Sequence, residues 1–230
     1  MDTIYALVIA AHPDDPEFGA AGTVAKWTRD DKKVVYLICT DGDKGTSDRA
    51  MNPKELARIR QDEQRAAARV LGVQDVVFLH YPDQGLEDTA EFRKELVRWI
   101  RRFRPWIVLS SDPYRRYLWH RDHRIVGQVV MDALFPYARD HLAFPELLAE
   151  GLEPHKVKEA WFWAAEDINH REDITDTFDL KMKALQCHAS QWNAHPVRDI
   201  RAWVEERFRT AAQGTPYTYA EAFHRVILPD

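Results

Sequence analysis

The 230-residue chain is predicted to fold as one α/β domain, spanning 1–230, with a mostly parallel sheet and helices on both faces. Three observations predict this. Short apolar runs alternate with longer amphipathic stretches as far as about residue 135. The runs at 4–10 and 33–40 are rich in aliphatic and β-branched residues, the pattern of strands buried on both faces. Hydrophobic residues make up 45% of the chain and charged residues 30%, the balance of an ordinary globular protein.

The elements follow in order. Residues 4–10 read as the first strand and 18–29 as a helix after a polar loop. The segment 33–40 (KVVYLICT) is the second strand. The next helix is well punctuated, with Asn52 as its cap, Pro53 at the first helical position, Glu55 three residues after the cap and Gly72 at the end. A third strand covers 76–79, and a helix opened by Asp88 and Glu91 must stop before Pro105. Residues 106–110 form the fourth strand and 122–135 the helix after it. Further on, 159–165 reads as a strand, while 179–190 and 198–209 read as helices added to the same domain.

Composition excludes several classes. Thirty-two basic and 37 acidic side chains leave a formal charge of −5, so no positive field invites nucleic acid or an anionic membrane. Cys39 and Cys187 form no CxxC pair, which removes a disulfide scaffold and an all-cysteine zinc site and favours a reducing cytoplasm. The apolar run 4–11 is too short for a signal peptide and lacks a basic flank, and no stretch approaches a membrane span. The basic stretch 93–104 carries an apolar stripe at Phe92, Leu96, Ile100 and Phe103 and reads as a solvated amphipathic helix.

In an open α/β sheet, ligands bind beyond the carboxyl ends of the strands where strand order reverses. The first strand delivers His12-Pro13-Asp14-Asp15-Pro16-Glu17 to that edge, and the fourth delivers 111–119 and then His120-Arg121-Asp122-His123. Imidazole with carboxylate is a natural zinc set, and three protein ligands with one open position mark a catalytic site. His12, Asp15 and His123 are the candidate ligands, with iron or cobalt as alternatives to zinc. Asp14, pointing elsewhere on an extended loop, is left to take a proton from the attacking water. His120, three residues before His123, is placed to meet developing charge in its protonated form or to protonate a leaving group, and Asp122 to orient one imidazole. Taken singly, each has a plainer reading: a solvated histidine, a turn or cap at Asp14-Asp15, exposed residues of a first helical turn.

The segment AHPDDPEFGAAGTVAKW (11–27) together with HRDH (120–123) resembles the zinc-dependent de-N-acetylases of the LmbE-like, or PIG-L, superfamily. Similar elements are TDGDKG (40–45), LARIRQDEQRAAARVLGV (56–73), YPDQGLED (81–88) and KALQCHASQ (183–191). The resemblance implies a Rossmann-like fold and a hydrolase that removes the acetyl group from an N-acetylglucosamine-type substrate. It makes His12, Asp15 and His123 ligands of one Zn2+ per chain, Asp14 the general base, His120 the transition-state stabiliser or acid, and Asp122 its partner. It also implies a homo-oligomer, since several bacterial relatives are hexamers. One departure stands out: where some relatives have an oxyanion tyrosine two residues before HxDH, this chain has Leu118, with Tyr117 and Trp119 beside it.

Substrate contacts are expected from Arg49, Tyr117, Trp119 and His188, with Tyr114 a further aromatic face for a sugar ring. Trp161 and Trp163 are expected in the core, and Trp192 forms part of the same aromatic group. Rivals are weaker. A dinucleotide-binding oxidoreductase lacks GxGxxG and would set two carboxylates against a pyrophosphate, and an aspartyl phosphatase leaves HRDH unexplained. A non-catalytic sugar- or metal-binding protein on the same scaffold has no need of Asp14 as a spare base. An amidase acting on another small amide, such as a thiol conjugate, is the alternative within the enzyme class.

Overall fold

In the computed structural model, which describes residues 3–193, 197 and 199–230, seven strands form one sheet in the order β3-β2-β1-β4-β5-β7-β6. The strands are β1 (Ala6–Ala10), β2 (Val34–Thr40), β3 (Asp75–Tyr81), β4 (Ile107–Ser111), β5 (Glu159–Trp163), β6 (His170–Asp173) and β7 (Ala220–Ile227). The five strands β3-β2-β1-β4-β5 run parallel, and β7 pairs antiparallel with both β5 and β6. The expected α/β class with a mostly parallel sheet is the observed one. The antiparallel β6 and β7 are not in the sequence reading, because HRED is polar throughout and AEAFHRVI is interrupted by Glu221, His224 and Arg225, so neither shows a continuous apolar run.

The central strands β1, β2 and β4 are buried at every position, as strands covered on both faces must be. Alternate residues of β1 serve two cores. Leu7 and Ile9 pack with α3 (Ala90–Phe103) and α4 (Arg121–Leu134). Ala6, Val8 and Ala10 pack with α1 (Asp15–Arg29), α2 (Pro53–Leu71) and α6 (Phe178–Cys187). Two one-turn helices, α5 (Glu146–Ala149) and α7 (Ala189–Trp192), and α8 (Ile200–Ala211) complete the set. No helix among the described residues is long and apolar enough to cross a membrane.

Local chemistry explains most boundaries. The Asn52 side chain accepts from the Lys54 backbone N–H, Pro53 opens α2 and Gly72 closes it at φ 72°. Helix α3 is capped by Thr89, whose hydroxyl accepts from the Phe92 N–H, so it starts one residue beyond the expected Asp88 cap. Helix α1 begins at Asp15, three residues earlier than expected, because Pro16 fits a first helical turn and Asp14 absorbs the bend. The helix expected over 198–209 is observed from Ile200, and Arg198 lies outside the described residues.

A buried ion pair ties the late elements to α1. Lys181 Nζ donates to Glu221 Oε1 at 2.7 Å and to the carbonyls of Glu17 and Phe18, while Glu221 accepts from the Gly22 and Thr23 N–H groups. The pair thereby fixes the helix that presents Asp15.

Candidate metal centre and active site

Strand β1 is flanked by β2 on one side and β4 on the other, so strand order reverses at its carboxyl end. There the chain turns through His12 and Pro13 and enters α1 at Asp15. The turn sets Asp14 at φ 94°, a region that costs a non-glycine residue about 1–3 kcal/mol. Helix α2 holds it in place. Gln64 Oε1 accepts from the Asp14 N–H at 2.9 Å, and Arg60 donates to the Pro13 carbonyl at 2.5 Å and to Asp14 Oδ2 at 3.2 Å. Asp14 occupies the N-cap position, yet its side chain caps no helical N–H. The plain turn-and-cap reading therefore does not account for its carboxylate. Burial raises the Asp14 pKa, with Asp15 adding to the effect and Arg60 opposing it.

Three donors converge beside it. His12 Nδ1 lies 3.1 Å from His123 Nε2 and 3.5 Å from Asp15 Oδ2, and His123 Nε2 lies 3.0 Å from Asp15 Oδ1. Tetrahedral zinc with bonds of about 2.0–2.2 Å sets its ligands about 3.3 Å apart. The spacing and the donor types both fit such an ion. The other nitrogen of His12 completes the case: Nε2 hydrogen-bonds Asp122 Oδ2 at 3.2 Å, which leaves Nδ1 bare toward the cluster. Asp83 Oδ1 lies 3.1 Å from the same Nε2 but off the hydrogen-bonding direction.

The electrostatics agree. Burial opposes a charged His12, but Asp122, Asp15 and Asp83 raise its pKa well above the ordinary histidine value. Burial also opposes ionisation of Asp15, which His123 and His12 nonetheless hold well below the usual carboxylate range. A field that draws a proton so strongly onto one imidazole also suits a divalent cation.

Two sequence expectations change here. The Asp122 carboxylate belongs to His12 rather than His120, and it is anchored by the N–H groups of Gln84 at 2.6 Å and Leu86 at 3.4 Å. His12, His120 and Asp122 also approach one another within 4.8 Å, but those prior bonds leave Asp122 less free than Asp15 to ligate. His120 caps α4, its Nδ1 accepting from the Asp122 N–H at 3.2 Å. Burial, then the charges of His12 and His123, lower its pKa. With Nδ1 accepting a backbone N–H, Nε2 is the nitrogen left to donate, and the lowered pKa runs against the protonated imidazole expected.

A cavity of about 470 Å³ opens onto Asp14, Asp15 and His123. Trp119 lines it, its ring 4.6 Å from His123 and its Nε1 donating to the Asp112 carbonyl. His188 lines it too, with Nε2 on Glu17 Oε2 at 2.9 Å and Nδ1 buried without a partner among the described residues. Trp161 and Trp163 are both core, as expected, Trp161 packed against Trp27 and Phe223, while Trp163 with Trp192 also forms part of the cavity wall.

Three other expected contacts are not brought in. Tyr117 is 95% exposed at a positive φ and Tyr114 is 65% exposed. Arg49 is exposed, and its loop reaches the cavity through Gly45, Thr46 and Ser47 instead. The arginine that holds Asp14 is Arg60. With Gln64 it was missed, although both interrupt the buried stripe of Leu56, Ala57, Ala67, Ala68 and Leu71 on α2. Two polar residues at core positions of an amphipathic helix were the available signal. Asp83 and Glu17, both buried, had no such signal.

Fold and site together define a Rossmann-like domain with a candidate His2Asp metal centre at the carboxyl edge of its sheet. Residues 7–134 match the PIG-L family, GlcNAc-PI de-N-acetylase, and the chain belongs to that family. It is 38% identical over 186 residues to the diacetylchitobiose deacetylase of Thermococcus kodakarensis, covering 81% of this chain and 69% of that protein. The structure of N,N'-diacetylchitobiose deacetylase from Pyrococcus horikoshii is similar with a TM-score of 0.91 at 31% identity, covering 98% of this chain and 85% of that one. A probable N-acetyl-alpha-D-glucosaminyl L-malate deacetylase 2 of Bacillus anthracis is 29% identical over 220 residues, 88% of this chain and 87% of that protein.

Proposed function

We propose that the protein is an N-deacetylase that hydrolyses the acetamide of an N-acetylglucosamine-type substrate, with one zinc ion per chain held by His12, Asp15 and His123. The observation that carries this reading is the convergence of three donor atoms beside a carboxylate, Asp14, that neither joins them nor caps its helix. The relatives named for deacetylation of diacetylchitobiose and of glucosaminyl malate support the substrate class. A bound zinc ion would act as a Lewis acid on the amide carbonyl and lower the pKa of water from 15.7 to about 7.

The chain's own groups supply the rest. Asp14, its direction fixed by Arg60, takes the proton of the attacking water and returns it to the departing amine nitrogen. His120, with Nδ1 tied to the backbone, points its Nε2–H at the oxygen on which charge develops. Asp122 keeps His12 in the tautomer that leaves Nδ1 free. Glu17 holds His188 at the cavity wall with Nδ1 available to a polar group of the sugar. A non-catalytic binder would have no use for a strained, uncapping Asp14. A homo-oligomer in the cytoplasm completes the reading, and sedimentation showing a monomer at working concentration would refute the assembly.

The test is release of free amine by zinc-loaded protein from N-acetylglucosamine, diacetylchitobiose, and inositol- and malate-linked forms. Asp14→Asn is expected to keep its zinc and lose at least about 10²-fold in rate. Full turnover in that variant would remove Asp14 as base, and no release from any substrate would remove the deacetylase.

A further inference from the structure

Two arginines line the cavity from different elements, Arg115 on the loop after β4 and Arg207 on α8. Neither has an acidic partner among the described residues, although their neighbours do. Arg116 faces Glu166, and on α8 itself Arg201 and Arg209 are paired with Glu205 and Glu206. The Arg115 guanidinium lies 4.8 Å over the Trp119 ring, which also packs on the candidate ligand His123. One indole therefore separates this cation from the donor cluster. Arg207 packs its guanidinium near Trp203 and Phe208 and also borders a second, adjoining cavity of about 270 Å³.

Like charges set about one cavity without a counter-charge raise each other's energy. Arg207 is exposed at the cavity rim, and its pKa is lowered by packing against the protein and then by the charge of Arg115, with no carboxylate among the described residues to offset them. The nearby acids are otherwise engaged: Asp14 by Arg60, Asp15 by His12 and His123, Glu17 by Gln64 and His188. A planar guanidinium stacked on an indole keeps its N–H edge for an oxyanion.

We infer that Arg115 and Arg207 form an anion subsite, and that the amino-sugar substrate carries a carboxylate or phosphate group at a distance from its acetamide. This deepens the deacetylase reading and rests on it. The two arginines neutralise the substrate's charge, and the anion in turn relieves their repulsion. A neutral sugar of the same size leaves both cations uncompensated and binds more weakly.

The experiment compares kcat/KM of the zinc-loaded protein on N-acetylglucosamine, its 6-phosphate and its malate glycoside at low and high salt. Alongside it, calorimetry measures binding of glucosamine and glucosamine 6-phosphate. At low salt one or both anionic substrates should be preferred by tenfold or more, a preference that falls with salt. Arg115→Ala and Arg207→Ala should each reduce that preference by about tenfold, the worth of one charge-assisted hydrogen bond. Arg207→Glu should reverse it. A preference for the phosphate alone or the malate alone identifies the anion.

Amine release with equal kcat/KM on all three substrates would overturn the subsite and leave the deacetylase standing. If no substrate releases amine, arginine-dependent binding of glucosamine 6-phosphate over glucosamine would sustain the subsite without the deacetylase. Equal binding of the two sugars would end it.

Discussion

The position of His123 depends on a glycine one helical turn away. A Cβ built on Gly127 would sit 2.3 Å from the Ser111 carbonyl oxygen and 2.9 Å from the Pro113 ring. Those neighbours are backbone and a proline, so they cannot swing aside as a flexible side chain would. Reaching even 3.0 Å, the closest approach real Cβ atoms tolerate, requires about 0.7 Å of movement between α4 and the end of β4. The same two segments are tied by Ser111 Oγ donating to the His123 carbonyl at 2.9 Å. Gly127→Ala should therefore push His123 away from Asp15 and His12.

Two energies compete in that variant. Alanine improves helix propensity by about 1 kcal/mol, while overpacking costs about 1–3 kcal/mol. The expected net loss is up to about 2 kcal/mol, or a fall in Tm of up to about 8 °C at this chain length. The functional loss should be larger, because a misplacement near 1 Å can cost about 10²-fold in rate. Differential scanning calorimetry of the metal-free protein measures the first effect, and zinc competition with a chromophoric chelator measures the displaced donor. Unchanged Tm and unchanged zinc affinity would refute the claim that this contact sets the site.

Asp122→Asn should weaken zinc binding by about 10–100-fold while the fold persists, since His12 loses the carboxylate that fixes its tautomer; unchanged affinity in a chelator titration would sink that role. Lys181→Met leaves Glu221 charged and buried, a loss of about 3–5 kcal/mol that Lys181→Met with Glu221→Gln should partly restore. Guanidinium denaturation reads both, and a loss under about 1 kcal/mol in the single variant contradicts the account. For His188, burial lowers the pKa but the Glu17 hydrogen bond and charge outweigh it, so the folded value lies above the unfolded one. Its stabilisation is then full below the unfolded pKa of about 6.5 and is lost as pH rises through the folded value. The stability difference between wild type and His188→Asn should shrink over that window, and a difference that grows with pH would reverse the assignment.

Much of this molecule is written in one dimension. Burial on both faces makes the central strands mostly apolar, so β1, β2 and β4 show as apolar runs, and Asn52, Pro53 and Gly72 mark α2 by local backbone chemistry. His12, Asp14 and Asp15 are legible because each lies within a few residues of the end of β1, and His120 and His123 because they open the helix that follows β4. The tertiary structure decided what depends on direction and on distant neighbours. It gave the Asp122 carboxylate to His12, since α4 turns it toward the loop that follows β3. It tied His120 Nδ1 to a backbone N–H, leaving Nε2 as the nitrogen to donate, and it turned Tyr117 out to solvent. Arg60 and Gln64 entered the site because the buried face of α2, seen in sequence only as a helical stripe, packs where β1 ends. Side-chain direction and long-range packing are properties of the folded chain, and no local run of residues encodes them.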